Sequence, residues 1–222
     1  MSRLAKYARD LATLPGDAAA GYRNEGMRGV WNAVACRTVH RVIRTSRLTV
    51  FAQVLDQLPE VRPPTGVTIS RLHSDEIEAL IPIAGERDRE RFRGLLGLGC
   101  VGLVAWKAAR PVGYAWIARA MGPEVSLYPL ELPAHAAYLW DLYVVPAERG
   151  GGLGSALAAE RLRTARDLGY AEGWRMVAPD NIASLRTLRR SGLRPRIVGE
   201  VRCLKLGPGL FGRFTPSPPP TH

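Results

Sequence analysis

The chain has 222 residues, 46% hydrophobic and 23% charged, with a mean hydropathy of −0.07. That balance belongs to a folded globular protein and excludes a disordered chain, a collagen-like fibre and a coiled coil. Lys and Arg number 31 against 20 Asp and Glu, a formal charge of +11, so the chain attracts anions or carries a solvated arginine-rich surface.

Residues 1–62 read as an extension. Leu4, Tyr7, Leu11 and Leu14 recur at helical spacing until Pro15-Gly16. Charges interrupt this apolar face, so it is not expected to be a secretory leader. A second helix is predicted from about Ala18 to Arg37, with Met27, Val30, Trp31 and Val34 on one face. Trp31 could cover a cleft, form a dimer contact or touch a membrane surface. Val39 to Leu55 is β-branched and aromatic and reads as one or two strands. Pro59, Pro63 and Pro64 mark a boundary.

Residues 63–206 form the second predicted domain. Val67–Arg71 is a strand, Ser74 caps a helix with Ile77, Leu80 and Ile81 on its apolar stripe, and Glu86–Leu96 is a charged helix. Cys100–Trp106 and Pro111–Ala120 form a hairpin, and 121–135 an irregular loop containing Glu131 and His135. Ala137–Val145 is a strand, Leu153 to Leu168 a helix, Trp174–Ala178 a strand, Asn181–Arg190 a helix and Gly199–Leu206 the last strand. Residues 207–222, ending RFTPSPPPTH, are expected to be a disordered proline-rich tail. No stretch approaches the ~20 uninterrupted apolar residues of a spanning helix.

Cys36, Cys100 and Cys203 form no paired spacing, and the four histidines are scattered. Reduced, mostly buried thiols and a cytoplasmic protein are expected, with no metal site.

The most informative segment is YLWDLYVVPAERGGGLGSALAA, residues 138–159. A strand ends at Val145-Pro146, glycines follow, and an amphipathic helix begins. Free N–H groups and the positive dipole end of that helix favour an anion, and glycines let it approach the backbone. The spacing predicts a phosphate-binding loop. A P-loop is excluded because no lysine separates Gly154 from Ser155, and a dinucleotide fingerprint because its third glycine is missing.

Arg149-x-x-Gly152-x-Gly154, between strand and helix, resembles the acetyl-CoA signature of the GCN5-related N-acetyltransferases (GNAT). Asn181-Ile182-Ala183-Ser184 followed by Gly192-Leu193 is similar to that family's second block, and the element order from Gly66 to Leu206 resembles its fold. The resemblance implies an α/β (α+β) fold, a mixed, mostly antiparallel twisted sheet with flanking helices and splayed central strands. It implies that Arg149, Gly150, Gly151, Gly152, Leu153, Gly154 and Ser155 hold the pyrophosphate of acetyl-CoA or another acyl-CoA. Tyr143, Val144 and Val145 would hold the pantetheine arm, with Asn181 and Ser184 beside it. The implied activity is N-acetyl transfer to a primary amine in a ternary complex.

One departure stands out. The family's usual tyrosine acid falls at Leu188 here, and Tyr143 or Tyr170 could substitute. Asp141, mid-strand among apolar neighbours, is either the general base or an ion-paired aspartate. Alternation puts Asp141, Tyr143 and Val145 on one face and Trp140, Leu142 and Val144 on the other. Glu131 and His135 could line the acceptor site. Arg186, Arg189, Arg190, Arg194 and Arg196 could attract a 3′-phosphate or an acidic partner, or form a solvated face. Trp106, Trp116, Trp140 and Trp174 are expected in the core. A small-molecule amine is the expected acceptor. Alternatives are an acyl-carrier protein as donor, a non-catalytic binding module, and a homodimer through the extension. Nucleic acid is not expected as a partner.

Overall fold

The computed structural model describes residues 43–58, 60–126, 128–190, 195–206 and 209–218. The helices expected before residue 43, Trp31, Cys36, Gly192-Leu193 and Arg194 lie outside the described residues. The backbone divides into two compact units. The smaller, Met1–Ser46 with Arg202–Arg213, contributes only strand ends to the described residues. The larger, Arg47–Val201 with Phe214–His222, carries the described helices and the candidate site.

Eight strands form one sheet: β1 (Ile43–Val54), β2 (Val67–Arg71), β3 (Val101–Lys107), β4 (Arg110–Ala118), β5 (Ala136–Val144), β6 (Glu172–Val177), β7 (Arg196–Leu206) and β8 (Gly209–Pro216). Their spatial order is β2-β3-β4-β5-β6-β1-β7-β8. Every pairing from β2 to β5 is antiparallel, as is β1 with β6, whereas β5 and β6 run parallel. Among the described residues four helices accompany the sheet: α1 (Ile77–Ala84), α2 (Asp88–Gly97), α3 (Leu153–Asp167) and α4 (Ile182–Arg190).

The core explains why these segments fold as they do. β3 and β4 are apolar on both faces, as strands covered on both sides must be. Leu153, Leu157 and Leu162 of α3 join Leu103, Leu139 and Val144 of the sheet in one cluster. On the other face Phe92 of α2 lies against Tyr114 and Trp116 of β4, ring centroids 5.4 and 5.1 Å apart. Leu95 is buried with Phe92, and the outer face of α2 is charged, where Arg91–Asp88 and Arg93–Glu90 pair one turn apart.

The structure differs from the sequence reading at three elements. β1, assigned to the extension, pairs with β6 from Thr49↔Val177 to Val54↔Glu172, so the boundary at residue 62 cuts through the sheet unit. β8 occupies Gly209–Pro216, inside the segment expected to be disordered. Its proline content points away from a central strand, but β8 is an edge strand, where a missing N–H costs little. The first helix begins with a 3-10 turn, Ser74–Glu76, capped at His73 rather than Ser74, and the Glu76 carboxylate accepts from the His73 N–H at 2.8 Å.

Candidate functional site

After β5 the chain makes a 3-10 turn, Pro146–Glu148, and enters the glycines. Gly150 and Gly152 hold φ of +87° and +88°, where a side chain is strained. A Cβ at Gly150, Gly151 or Gly152 would meet nothing within 4 Å, so this side of the turn is open. Gly152 caps α3 without a side-chain hydrogen bond, and the first N–H to bond back is that of Ala156, to Gly152 O at 3.0 Å. The N–H groups of Leu153, Gly154 and Ser155 therefore have no acceptor within the helix. Arg149 folds back onto β5: its Nε donates to Val144 O at 3.0 Å and its guanidinium lies 5.8 Å from the Tyr143 ring centroid.

β5 and β6 pair only at Ala136↔Glu172, Ala137↔Gly173 and Tyr138↔Trp174. Beyond that vertex they part, and a cleft of about 680 Å³ opens between Leu139–Val144 and Arg175–Val177. The splayed central strands expected from the family resemblance are present. On its other side β5 is bulged against β4: Trp116 faces Trp140 and Tyr114 faces Tyr143, so Asp141 and Leu142 of β5 stand against the single Ala115 of β4. Asp141 sits in this bulge with φ +50°.

The bulge overturns the expected alternation. Trp140 and Tyr143 share the aromatic face, Trp140 against Trp116 and Tyr143 stacked 5.5 Å from Tyr114, whereas Leu139 and Val144 face α3. An inserted residue reverses the parity of all that follows. Asp141 is ion-paired: Oδ2 accepts from Arg91 Nη2 at 2.7 Å, and Arg91 also holds Asp88. The guanidinium of Arg91 is raised above its usual value despite its desolvation, because Asp88 and Asp141 both bond to it.

Of the residues singled out from the sequence, Asp141, Tyr143, Val144 and Arg149 line the cleft, as do Gly150, Gly152, Gly154 and Ser155, with Asn181 and Ser184 across from them. Val145, Gly151 and Leu153 do not line it. Val145 donates its N–H to Val112 O at 3.0 Å, and the Leu153 side chain is core. Asn181 caps α4, its Oδ1 accepting from the Ser184 N–H at 3.1 Å. Leu188 is buried and outside the cleft. Glu131 and His135 are outside it too, His135 lying 3.7 Å from Glu172. Arg186 reaches the cleft, whereas Arg196 pairs with Glu172 at 2.8 Å. Glu172 is held below the usual carboxylate range: burial opposes this, but bonds from Arg196 and Trp174 outweigh it. Trp116 and Trp174 are core as expected, Trp106 is half-buried, and Trp140 lines the cleft.

The floor of the cleft carries two residues that no sequence motif marks. Arg161 of α3 and Arg175 of β6 line the cleft at 4% and 6% exposure. Arg161 Nη1 donates to Trp140 O at 3.0 Å, a carbonyl of the strand stretch that β6 leaves unpaired. Arg161 Nε and Arg175 Nη2 are buried with no hydrogen-bond partner. Burial, then the neighbouring charge of Arg175, pushes the Arg161 guanidinium down to about 9, and burial alone lowers Arg175 to about 10. A signal existed. Arg161 continues the buried stripe Leu153, Leu157 of α3, and Arg175 alternates with Gly173 and Val177 on one face of β6.

The fold, the parted parallel strands and the open glycine turn define an acyltransferase-type α/β architecture. The model of the acetyltransferase (GNAT) family matches residues 69–193. The chain belongs to that family. Solved structures agree on the fold. A GCN5-related N-acetyltransferase from Kribbella flavida is 22% identical with a TM-score of 0.53, covering 79% of this chain and 64% of its own. A GCN5-related N-acetyltransferase from Sphaerobacter thermophilus is 18% identical with a TM-score of 0.51, covering 82% and 56%. A Drosophila protein is 17% identical with a TM-score of 0.52, covering 82% and 67%. The chain thus spans roughly 56 to 67% of the length of these structures. No curated protein matches it. Among the described residues no group of side chains could hold a metal ion, and no helix is long and apolar enough to cross a membrane.

Proposed function

We propose that the protein is an acyl-CoA-dependent N-acyltransferase that moves an acyl group, in the simplest case acetyl, to a primary amine in a ternary complex. One observation carries the reading: the open amides of the glycine turn and the parted edge of β5 line a single cleft. That cleft suits coenzyme A in form. Its mouth offers helix N–H groups to a diphosphate, and its wall offers unpaired strand backbone to an amide-bearing arm.

Arg149 and the backbone from Gly150 to Ser155 would hold the pyrophosphate. Tyr143, Val144, Asn181 and Ser184 would hold the pantetheine arm. When bound, the thioester supplies an activated acyl carbon. Asp141 takes the proton released as the amine nitrogen bonds to that carbon, with Arg91 fixing its carboxylate at the bulge. An N–H of the unpaired stretch of β5 donates to the carbonyl oxygen. As the carbon–sulfur bond breaks, the Tyr143 hydroxyl returns a proton to sulfur, the position usual for that acid being the buried Leu188. The acceptor is a small-molecule amine and the compartment the cytoplasm.

Calorimetry with acetyl-CoA tests the binding half, and free-thiol release with a panel of primary amines tests the chemistry. Saturable one-to-one binding with amine-dependent thiol release is expected. Absence of any binding of acetyl-CoA or coenzyme A would falsify the reading.

A further inference from the structure

The floor of the cleft presents two buried guanidinium groups, and among the described residues no carboxylate is bonded to either. Arg161 reaches in from α3 and Arg175 from β6, and each keeps a buried N–H without an acceptor. Among the described residues the side chain of Arg175 makes no hydrogen bond or ion pair, and the nearby Asp141 is engaged by Arg91. Desolvating two like charges side by side is costly. Two buried arginines that share a floor and keep unused donors fit a planar anion.

Position argues against the diphosphate as that anion. Arg161 lies eight residues along α3 from Leu153, so about 12 Å of helix separates it from the glycine turn. The vertex pairs Ala137↔Gly173 and Tyr138↔Trp174 close the far end. A group reaching the floor is therefore the end of a molecule threaded between the strands from the turn. In the reading above, which this inference rests on, that end is the acyl chain.

We propose that Arg161 and Arg175 bind a carboxylate at the distal end of the donated acyl group, so that the preferred donor is a dicarboxylic acyl-CoA of the succinyl class rather than acetyl-CoA. The transfer itself is unaltered. The amine nitrogen bonds to the thioester carbon, the carbon–sulfur bond breaks, sulfur takes a proton, and the distal carboxylate stays intact on the product. Trp140, through its carbonyl, positions Arg161.

The test compares succinyl-CoA, butyryl-CoA and free coenzyme A by calorimetry on the whole chain. Butyryl matches succinyl in length and lacks the charge. Succinyl-CoA is expected to bind about 10- to 100-fold more tightly than butyryl-CoA, the range for a charge-assisted hydrogen bond in a desolvated site. In Arg175→Met the ratio is expected to fall towards one. The wild-type ratio alone decides, so a variant that fails to fold does not weaken the test. Equal affinity for succinyl-CoA and butyryl-CoA, with coenzyme A still bound, overturns this inference and leaves the acyltransferase reading standing. Loss of binding to all three overturns both.

Discussion

The two ends of the cleft attract negative charge by opposite means. At the mouth the donors are backbone N–H groups on a turn stripped of side chains, open on one side. At the floor they are two arginine side chains, almost wholly desolvated, wedged between a helix and a strand. Backbone donors at a solvated helix end cost the fold little, because water satisfies them when no ligand is present. Buried guanidiniums cost stability in the ligand-free protein. A mouth of this kind suits a group common to many ligands. A floor of the other kind is worth its cost only when a particular ligand brings the counter-charge.

The largest effect expected from breaking this contrast is at the mouth. Gly152→Asp places a carboxylate where a diphosphate should sit and a Cβ at φ +88°. Affinity for acetyl-CoA is expected to fall at least about 100-fold, roughly 2.7 kcal/mol, read by calorimetry. An unchanged affinity would locate the anion site elsewhere. Next comes the floor. Arg175→Met is expected to raise the stability of the ligand-free protein by about 1–3 kcal/mol in urea unfolding, since it removes a buried charge without a partner. A loss of stability would mean that Arg175 is already balanced.

The third test sharpens the mouth. Gly152→Ala is expected to cost about 1–2 kcal/mol for forcing a side chain into left-handed backbone. Gly151→Ala, where φ is not positive and space is open, is expected to change stability by less than about 0.5 kcal/mol. Equal costs at the two positions would contradict the turn geometry.

The smallest effect concerns pH. The folded guanidinium of Arg161 is depressed to about 9, well below its ordinary value. Between those values the unfolded chain binds more protons than the folded one, so stability rises with pH in that window and is flat below it. Relative to Arg161→Met, the wild type is expected to gain about 1 kcal/mol between pH 8 and pH 10, measured by thermal melting. A falling difference would reverse the sign of the burial argument.

Much of the architecture was legible in the residues. Strand and helix periods place β2 to β6 and α1 to α4 within a few positions, and Arg149-x-x-Gly152-x-Gly154 marks the turn. Those signals are local: glycine supplies positive φ and the free amides follow from where a helix starts. The faces of β5 were not legible. Alternation assumes an uninterrupted ladder, and the bulge at Asp141 depends on the register of β4, which lies far away in sequence. β1 shows the same limit, since composition marked it as strand but only its pairing with β6 put it in this sheet.

By itself the sequence determined the element types, the glycine turn and the family to which they belong, because each rests on contacts within a few residues. Tertiary structure alone decided that Asp141 is held by Arg91, that Val145 is committed to β4, and that Arg161 and Arg175 meet beneath the parted strands. The physical reason is distance along the chain. An arginine on α3 is one of many until the sheet buries it beside another, and only then does its charge call for a partner.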